Sequence, residues 1–488
     1  MKNKIFILGA ITGMLTLGAC GNFLEEESQS EVIPKTTSDF SELLLGTGYP
    51  DDAEPNFSFI SLMDDDCAHF LTYASTSDPE GTVGTSNAIT QFPIYSWQPT
   101  LADYDGYDSE INVTASSTTY AQFYSKILGC NAVLDYIDEA IGTQQEINHI
   151  KAEALSVRAL LYFWLVNLYG EPYTENPQAA GVPLKLSSSV EEVSVPRVTV
   201  ERVYERILDD LTEAADLFGT ESRVTTDFRI NRPTVEILLS RVYLYTGKWK
   251  EAVESATEAI RIGGKLADLT AIEKNGAFAC VRYSSPEVTW MYGGEGMGFY
   301  VENGLNMAKE LEEGYGANDR RVDLYYAYDE LRGHYYLQKT GTSASGDLGD
   351  APKQAIRLSE AYLNRAEAYV LWDNKVTEAL KDLNELRRNR IEGYSDVSIS
   401  DPVLLLEEIR KERRLELARE GHRWLDLRRY GMPSIKHTWL PGEGLTLQTF
   451  VLKAKDPMYT LPLPESVLGV NPALTQNASA NTPERKAE

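Results

Sequence analysis

Asp103-x-Asp105-Gly106-x-Asp108 offers hard oxygen ligands of the kind a calcium ion takes. Its order departs from the EF-hand loop and the terminal Glu is missing, so it reads as a solvated acidic turn and no metal is assigned. Gly294-x-Gly296-x-Gly298 has the wrong spacing for a dinucleotide fingerprint and lacks the Lys-Ser/Thr of a phosphate loop. No nucleotide or other cofactor is expected. Five His and four Cys are too few and too scattered for a zinc or iron–sulfur framework. No Gly-x-Ser-x-Gly elbow and no His-Glu-x-x-His helix occurs. The 73 Asp and Glu make a glycosidase-like acid and base pair arithmetically available, and no spacing singles one out.

What remains is aromatic: 28 Tyr, 14 Phe and 7 Trp in 488 residues. With 43% hydrophobic and 24% charged residues the chain is an ordinary globular protein rather than a disordered one. Its formal charge of -27 would repel a phosphate backbone, which excludes nucleic acid as a partner.

The elements that must position those aromatics are mostly helical. Between Tyr120 and Ile141, Phe123, Ile127, Cys130, Leu134 and Ile137 recur at three- and four-residue steps and share a face. Cys130 there reads as a small buried hydrophobe. Ala154 to Tyr169 is apolar nearly all round and must be buried on most sides before Gly170 and Pro172 stop it. Asn231-Arg232-Pro233 is a cap and first turn, as is Asp401-Pro402. Ser240, Tyr243, Gly247, Ala252, Ala256 and Ala259 follow the tetratricopeptide pattern of small residues at a helix–helix contact, and a second copy starts at Ile356 with Ala366, Tyr369, Ala379 and Leu383. A short helix is expected over His422 to Tyr430. Ser58 to Glu110 and Gly263 to Gly349 are rich in Gly, Ser, Thr, Asp and Tyr, with short strand-like runs such as Val288 to Tyr292. Long loops of this kind usually carry function.

Lys2 and Lys4, the apolar stretch Ile5 to Leu17, and Gly18-Ala19-Cys20 resemble a bacterial lipoprotein signal. The apolar stretch is too short to span a bilayer. The expected organisation is a signal over 1–19, an acylated Cys20 with a tether over 20–35, and one globular domain over 36–488. Acyl chains on Cys20 would hold the protein stably to a membrane, at about 0.8 kcal/mol per buried methylene.

Four stretches then resemble one family, the SusD/RagB lipoproteins. They are Ala159-Leu-Leu-Tyr-Phe-Trp-Leu-Val-Asn-Leu-Tyr-Gly170, Ser240-Arg-Val-Tyr-Leu-Tyr-Thr-Gly-Lys-Trp249, Arg357-Leu-Ser-Glu-Ala-Tyr-Leu-Asn-Arg-Ala-Glu367 and Glu412-Arg-Arg-Leu-Glu-Leu-Ala-Arg-Glu-Gly-His-Arg-Trp-Leu-Asp-Leu-Arg-Arg-Tyr430. Leu461-Pro-Leu-Pro464, Asn471-Pro472 and Gln476-Asn477 add to them. The resemblance implies a mostly α fold, a tetratricopeptide-like helix-pair scaffold supporting a loop-rich irregular half with short strands. It implies a binding protein and not an enzyme: the irregular half captures oligosaccharide or polysaccharide, and the helical side docks a SusC-like TonB-dependent outer-membrane transporter. The same architecture capturing peptide or another nutrient is the alternative, and a surface glycoside hydrolase the remote one. The expected location is the outer membrane, facing the exterior. Glu25-Glu26-Glu27 resembles a surface-export signal or is a solvated tether.

A sugar presents C–H faces to aromatic rings and hydroxyls to polar groups. The candidate ligand residues are therefore Trp97 in its Pro-broken loop, Tyr73, Phe299, Tyr300 and Asn303 around the Gly-rich run, and Tyr326 in the cluster Tyr325, Tyr326, Tyr328, of which strand alternation would bury some. Trp290, Tyr292 and the helical tryptophans Trp164, Trp249, Trp372 and Trp424 are assigned to packing. Arg423 and Asp426 could pair on one helix and are read as part of a buried structural network rather than as catalysts. Arg387-Arg388-Asn389-Arg390 and Lys411-Glu412-Arg413-Arg414 read as solvated or ion-paired helix faces.

Overall fold

In the computed structural model, the described residues are 34–51, 54–69, 92–103, 118–189, 194–220, 228–272, 280–293, 305–329, 334–339, 354–439, 441 and 446–488. The principal helices are α1 (Thr37–Thr47), α2 (Thr119–Leu134), α3 (Gln144–Tyr169), α4 (Val200–Phe218), α5 (Arg232–Tyr245), α6 (Trp249–Ile262), α7 (Arg320–Tyr325), α8 (Leu358–Leu371), α9 (Val376–Arg388), α10 (Pro402–Glu416) and α11 (His422–Arg429). The strands are short: β1 (Cys67–His69), β2 (Val288–Tyr292), β3 (Leu305–Met307), β4 (Tyr326–Asp329), β5 (His334–Leu337), β6 (Gln354–Arg357), β7 (Ile435–Trp439) and β8 (Gln448–Leu452). They form antiparallel pairs β1–β3, β2–β6, β4–β5 and β7–β8. The fold is mostly α, as the sequence predicts.

Local chemistry starts the helices where the sequence places them. Thr36 with Asp39, and Thr143 with Glu146, close capping boxes on α1 and α3, and Asn231 and Asp401 cap α5 and α10 with Pro in the first turn. Helix α3 is buried continuously from Ala152 to Tyr169, so neighbours on every side stabilise it. The predicted helix–turn–helix pair is α5–α6, where Gly247 takes a φ of 74° and Ser240, Ala252, Ala256 and Ala259 are buried at the contact. Its second copy is α8–α9, with Ala366, Ala379 and Leu383 against Leu405 and Ile409 of α10. Gly129 of α2 lies where an added Cβ would be 2.3 Å from the Thr47 carbonyl oxygen, so glycine is what lets α1 and α2 cross this closely.

The irregular half has its own core, in which Val288, Met291, Leu311, Leu324, Tyr325 and Tyr326 pack on Leu415 of α10. Part of the region expected to be loop is core as well: Phe59, Ile60, Leu62 and Met63 are buried. Cys67, Cys130 and Cys280 are free and buried, so the small-hydrophobe reading of Cys130 holds.

Candidate functional site

The two halves are joined by a buried ion network, of which the sequence points only to Arg390, as part of a solvated or ion-paired helix face. The Arg390 Nε donates to Glu416 at 2.9 Å and its Nη2 to Glu287 at 2.8 Å. Arg357 bridges Glu287 at 2.9 Å and Glu420 at 2.7 Å and also pairs with Glu416. Arg321 donates to Glu416 at 3.1 Å and to Asp319 at 2.6 Å. Arg321, Arg357, Arg390 and Glu416 have essentially no solvent exposure. Although burial opposes ionisation, the Arg390, Arg357 and Arg321 guanidiniums hold the Glu416 carboxyl well below the usual carboxylate range. Lys339, beside Glu420 and over the Tyr325 ring, is pushed down to about 8 by burial. Arg390 and Arg413 are thus corrections: both are ion-paired, but inside the molecule. Arg388 is the member of that run that stays at the surface, paired with Asp396 and Glu385.

Arg423 and Asp426 belong to a largely buried structural network, as expected, but they do not pair with each other. Arg423 reaches away from its own helix to hold Asp65 at 2.6 and 2.7 Å, while Asp426 takes Arg413 at 2.8 Å and Arg429 at 2.8 Å. Arg414 pairs with Asp66 at 2.6 Å. These arginines clamp the segment carrying Asp64, Asp65 and Asp66 onto α10 and α11. Burial, followed by the Asp66 charge, pushes the Asp64 carboxyl well up.

Above the ion network lies the hairpin β4–β5, with Tyr328 opposite Tyr335 and Tyr326 opposite Leu337. An aromatic ladder runs outward along it. Tyr315 donates to the Leu415 carbonyl at 2.8 Å and its hydroxyl lies 3.3 Å from that of Tyr326. Tyr326 lies edge-on to Tyr335 at 6.3 Å, and Tyr335 meets Tyr328 at 4.9 Å. Gln338 ties the ladder down by donating to the Asp323 and Tyr326 carbonyls. Tyr325 and Tyr326 are buried, whereas Tyr328 is 53% exposed. The sequence reading therefore chose the wrong ring of this cluster: Tyr326 packs under the hairpin, and Tyr328 with half-buried Tyr335 presents a face to solvent. A second exposed ring is Phe228, 56% accessible and edge-on to Tyr283 at 4.3 Å.

Trp97 is corrected too. It has no exposed surface. A φ of 51° ends the helical turn before it and directs the indole inward, where Nε1 donates to the Met63 carbonyl at 2.9 Å and the ring stacks on His437 at 4.2 Å. Tyr95 covers the other face of His437. The C-terminal segment covers the site, with Gln98 and Arg485 exchanging hydrogen bonds at 2.9 and 3.0 Å. Trp97 is loop-core packing, not a platform. Trp290 and Tyr292 are buried as expected, stacked at 4.5 Å.

Tyr73, Phe299, Tyr300 and Asn303 lie outside the described residues, as do Cys20, Glu25 to Glu27, Asp105, Asp108 and the Gly294–Gly298 run. Asp103 is described, and its carboxylate caps the Glu465 N–H at 2.7 Å. Among the described residues no His, Cys, Asp and Glu cluster suits a metal, and no helix is long and apolar enough to cross a membrane.

The reading overlooked Tyr335, whose partner lies seven residues away across a hairpin that no tight-turn signal announces. Charge alternation on α10 was visible, but nothing in it marked which face was inside.

Comparison with known proteins bears on this arrangement. A family described as "Starch-binding associating with outer membrane" matches residues 22–244, and the SusD family matches residues 286–479. The SusD-like protein P2 of Formosa agariphila is 23% identical, the match covering 96% of this chain and 98% of that protein. A solved SusD superfamily protein from Bacteroides thetaiotaomicron superposes with a TM-score of 0.69 at 25% identity, covering 91% of this chain and 99% of the other. A structure described as a laminarin-binding SusD-like protein superposes with a TM-score of 0.64 at 22% identity, over 91% and 99% of the two chains. The helix pairs, the irregular half set on them and these matches lead to one conclusion: the chain belongs to the SusD/RagB family.

Proposed function

We propose that this protein binds glycan at the cell surface and does not transform it. In this reading Cys20 carries a lipid anchor in the outer membrane, the irregular half captures oligosaccharide, and the helical side hands it to a SusC-like TonB-dependent transporter. The observation that carries the binding role is the Tyr328–Tyr335 pair: an exposed ring, held on a hairpin that a buried ladder keeps in place. Such a ring is pre-organised, so little ordering cost opposes stacking. Covering about 80 Å² of apolar surface on one ring contributes about 2 kcal/mol. With a second ring and a few hydrogen bonds, affinities in about the millimolar to micromolar range follow, weak enough for handover. The laminarin-binding description of a protein with this fold supports the ligand class.

A binding role also suits the carboxylates. A general acid needs a raised pKa together with access to the substrate. Among the described residues, burial raises the carboxyls of Asp64, Asp66, Glu236 and Asp382, and all four are buried out of reach of a glycosidic oxygen.

The test is calorimetry or retardation electrophoresis of the mature chain, with Cys20 replaced, against polysaccharides and peptides. At least one glycan should bind, and Tyr328→Ala should weaken it at least tenfold, about 1.4 kcal/mol. Binding of peptides alone would reverse the ligand class, and release of reducing sugar would restore the hydrolase reading. Co-purification from detergent-solubilised membranes tests the partner, and consistent recovery without a large β-barrel counts against it.

A further inference from the structure

The residues that lead into the Asn231 cap of α5 are fastened one after another. The Phe228 carbonyl accepts the Trp290 indole N–H at 3.1 Å. Arg229 donates to the Glu153 carboxylate at 2.9 Å and to the Ser41 hydroxyl at 2.7 Å. The Ile230 N–H donates to the Tyr49 hydroxyl at 3.1 Å. Trp290, Glu153 and Tyr49 are buried, so this stretch of backbone is fixed from inside. The Phe228 ring nevertheless lies more than half in solvent.

Tyr283 stands behind it. Its ring meets Phe228 edge-on at 4.3 Å, and its hydroxyl donates to the Met291 carbonyl at 2.9 Å and accepts the Met291 N–H at 3.2 Å. Both rings are therefore held on β2, Phe228 through Trp290 and Tyr283 through Met291. The exposed neighbours of Tyr283, Arg282 and Ser284, bring the polar groups that sugar hydroxyls need.

The Tyr328–Tyr335 pair is built in the same way, an exposed ring resting on a half-buried tyrosine. Tyr283 and Tyr335 pack on one core. Their segments are also joined directly, since the Val281 N–H donates to the Lys339 carbonyl at 2.9 Å. With at most about 3.5 Å per residue and about 6 Å across that bond, the Tyr283 and Tyr335 Cα atoms stand within about 27 Å of each other. An oligosaccharide of several residues covers that reach. A lone exposed hydrophobe on a protein surface needs no explanation. Two exposed rings, each backed by a tyrosine and both mounted on one core, are a different matter.

We propose that Phe228, backed by Tyr283, is a second sugar-stacking platform, engaged by an oligosaccharide seated on Tyr328 once its chain is long enough to reach. The inference rests on the reading of this protein as a glycan binder. A chain held on one ring meets the other at an effective concentration of about millimolar, so two weak contacts reinforce each other and favour long chains over short ones.

The test is calorimetry on the mature chain, with Cys20 replaced, against cello-, laminari-, malto-, manno- and xylo-oligosaccharides, each as the disaccharide and the hexasaccharide. In the series that binds, the ratio of hexasaccharide to disaccharide affinity should fall at least fivefold in Phe228→Ala. Phe228→Leu, which keeps apolar bulk without a flat ring, should behave like Phe228→Ala, and Phe228→Tyr should keep the wild-type ratio. Tyr328→Ala should weaken both lengths. An unchanged ratio in Phe228→Ala overturns the proposal, and so does a wild-type ratio in Phe228→Leu. If Phe228→Ala does not fold, the contrast between the Leu and Tyr variants decides. A wild type that binds no glycan removes the glycan reading and this inference with it. A wild type that binds, loses affinity with Tyr328→Ala and is indifferent to the Phe228 variants overturns this inference alone.

Discussion

The helix-pair half and the irregular half of this protein combine packing and buried charge in different proportions. In α5–α6 and α8–α9 small residues at helical spacing bring backbones together in apolar clusters, Leu244, Ala252, Val253 and Ala368 in one and Ala366, Ala379 and Leu383 in another, and single ion pairs, Arg365–Asp382 across α8–α9 and Arg241–Glu360 between α5 and α8, add to them. In the irregular half no element is long enough to bury itself. Its short strands are fastened to α10 by Arg321, Arg357, Arg390 and Lys339 converging on Glu416 and Glu420. The first half is specified mainly by periodicity, and the second depends on several charges far apart in sequence that converge on one site. An exposed ring such as Tyr328 can therefore be held on short strands because buried ions fix the neighbouring backbone.

Breaking the ion network should produce the largest effect. Glu416→Ala leaves three buried guanidiniums short of a partner, and we expect a loss of about 5 kcal/mol in urea unfolding. A comparable loss on substituting an exposed pair such as Arg388–Asp396 would show that burial is not what matters. Trp97→Ala follows at about 4 kcal/mol, because a buried indole and its hydrogen bond are removed. If it instead left stability unchanged while abolishing glycan binding, the packing assignment would be wrong.

A third prediction concerns acid. His422 is fully buried and faces Arg241, Arg413, Arg357 and Lys339, so burial first and then these cations hold its imidazole well below the ordinary value. The folded state keeps it neutral while the unfolded chain protonates near pH 6.5. Its contribution is thus present above that pH and is lost as pH falls, at about 1.4 kcal/mol per pH unit. Asp64, with a raised folded value, acts with the opposite sign: its penalty is relieved as pH falls. The clean measurement is therefore the difference in urea midpoint between wild type and His422→Gln from about pH 7 to about pH 5, which should narrow as pH falls. A constant difference would mean that the imidazole is already charged in the fold.

Smallest in stability is Tyr328→Ala, at under about 0.5 kcal/mol because the ring is exposed. The contrast with Trp97→Ala sharpens the comparison, since one aromatic should affect folding without touching the ligand and the other the reverse.

Helix existence was legible because it is local. The caps Asn231 and Asp401, the all-round apolar run before Gly170 and the small residues of α5–α6 act within one or two turns of themselves. The strand over Val288–Tyr292 and the burial of Trp290 were readable from an apolar run. Among the described candidates, the ligand reading failed at Trp97 and Tyr326. Trp97 sits in a polar, Pro-broken stretch and Tyr326 in a run of tyrosines, and neither context says what packs over a residue from far along the chain. For Trp97 that cover is His437 and the segment around Arg485; for Tyr326 it is Tyr315 and the β4–β5 hairpin.

Contiguous residues carried the helical scaffold, through periodicity and capping, and the family resemblance, through four motifs in order along the chain. Only the tertiary structure decided which aromatics are inside, that Arg390 and Arg413 are buried, and that Arg423 serves Asp65 rather than Asp426. The reason is that exposure and ion pairing depend on partners tens to hundreds of residues away, and the burial of each such group is set by the element packed over it.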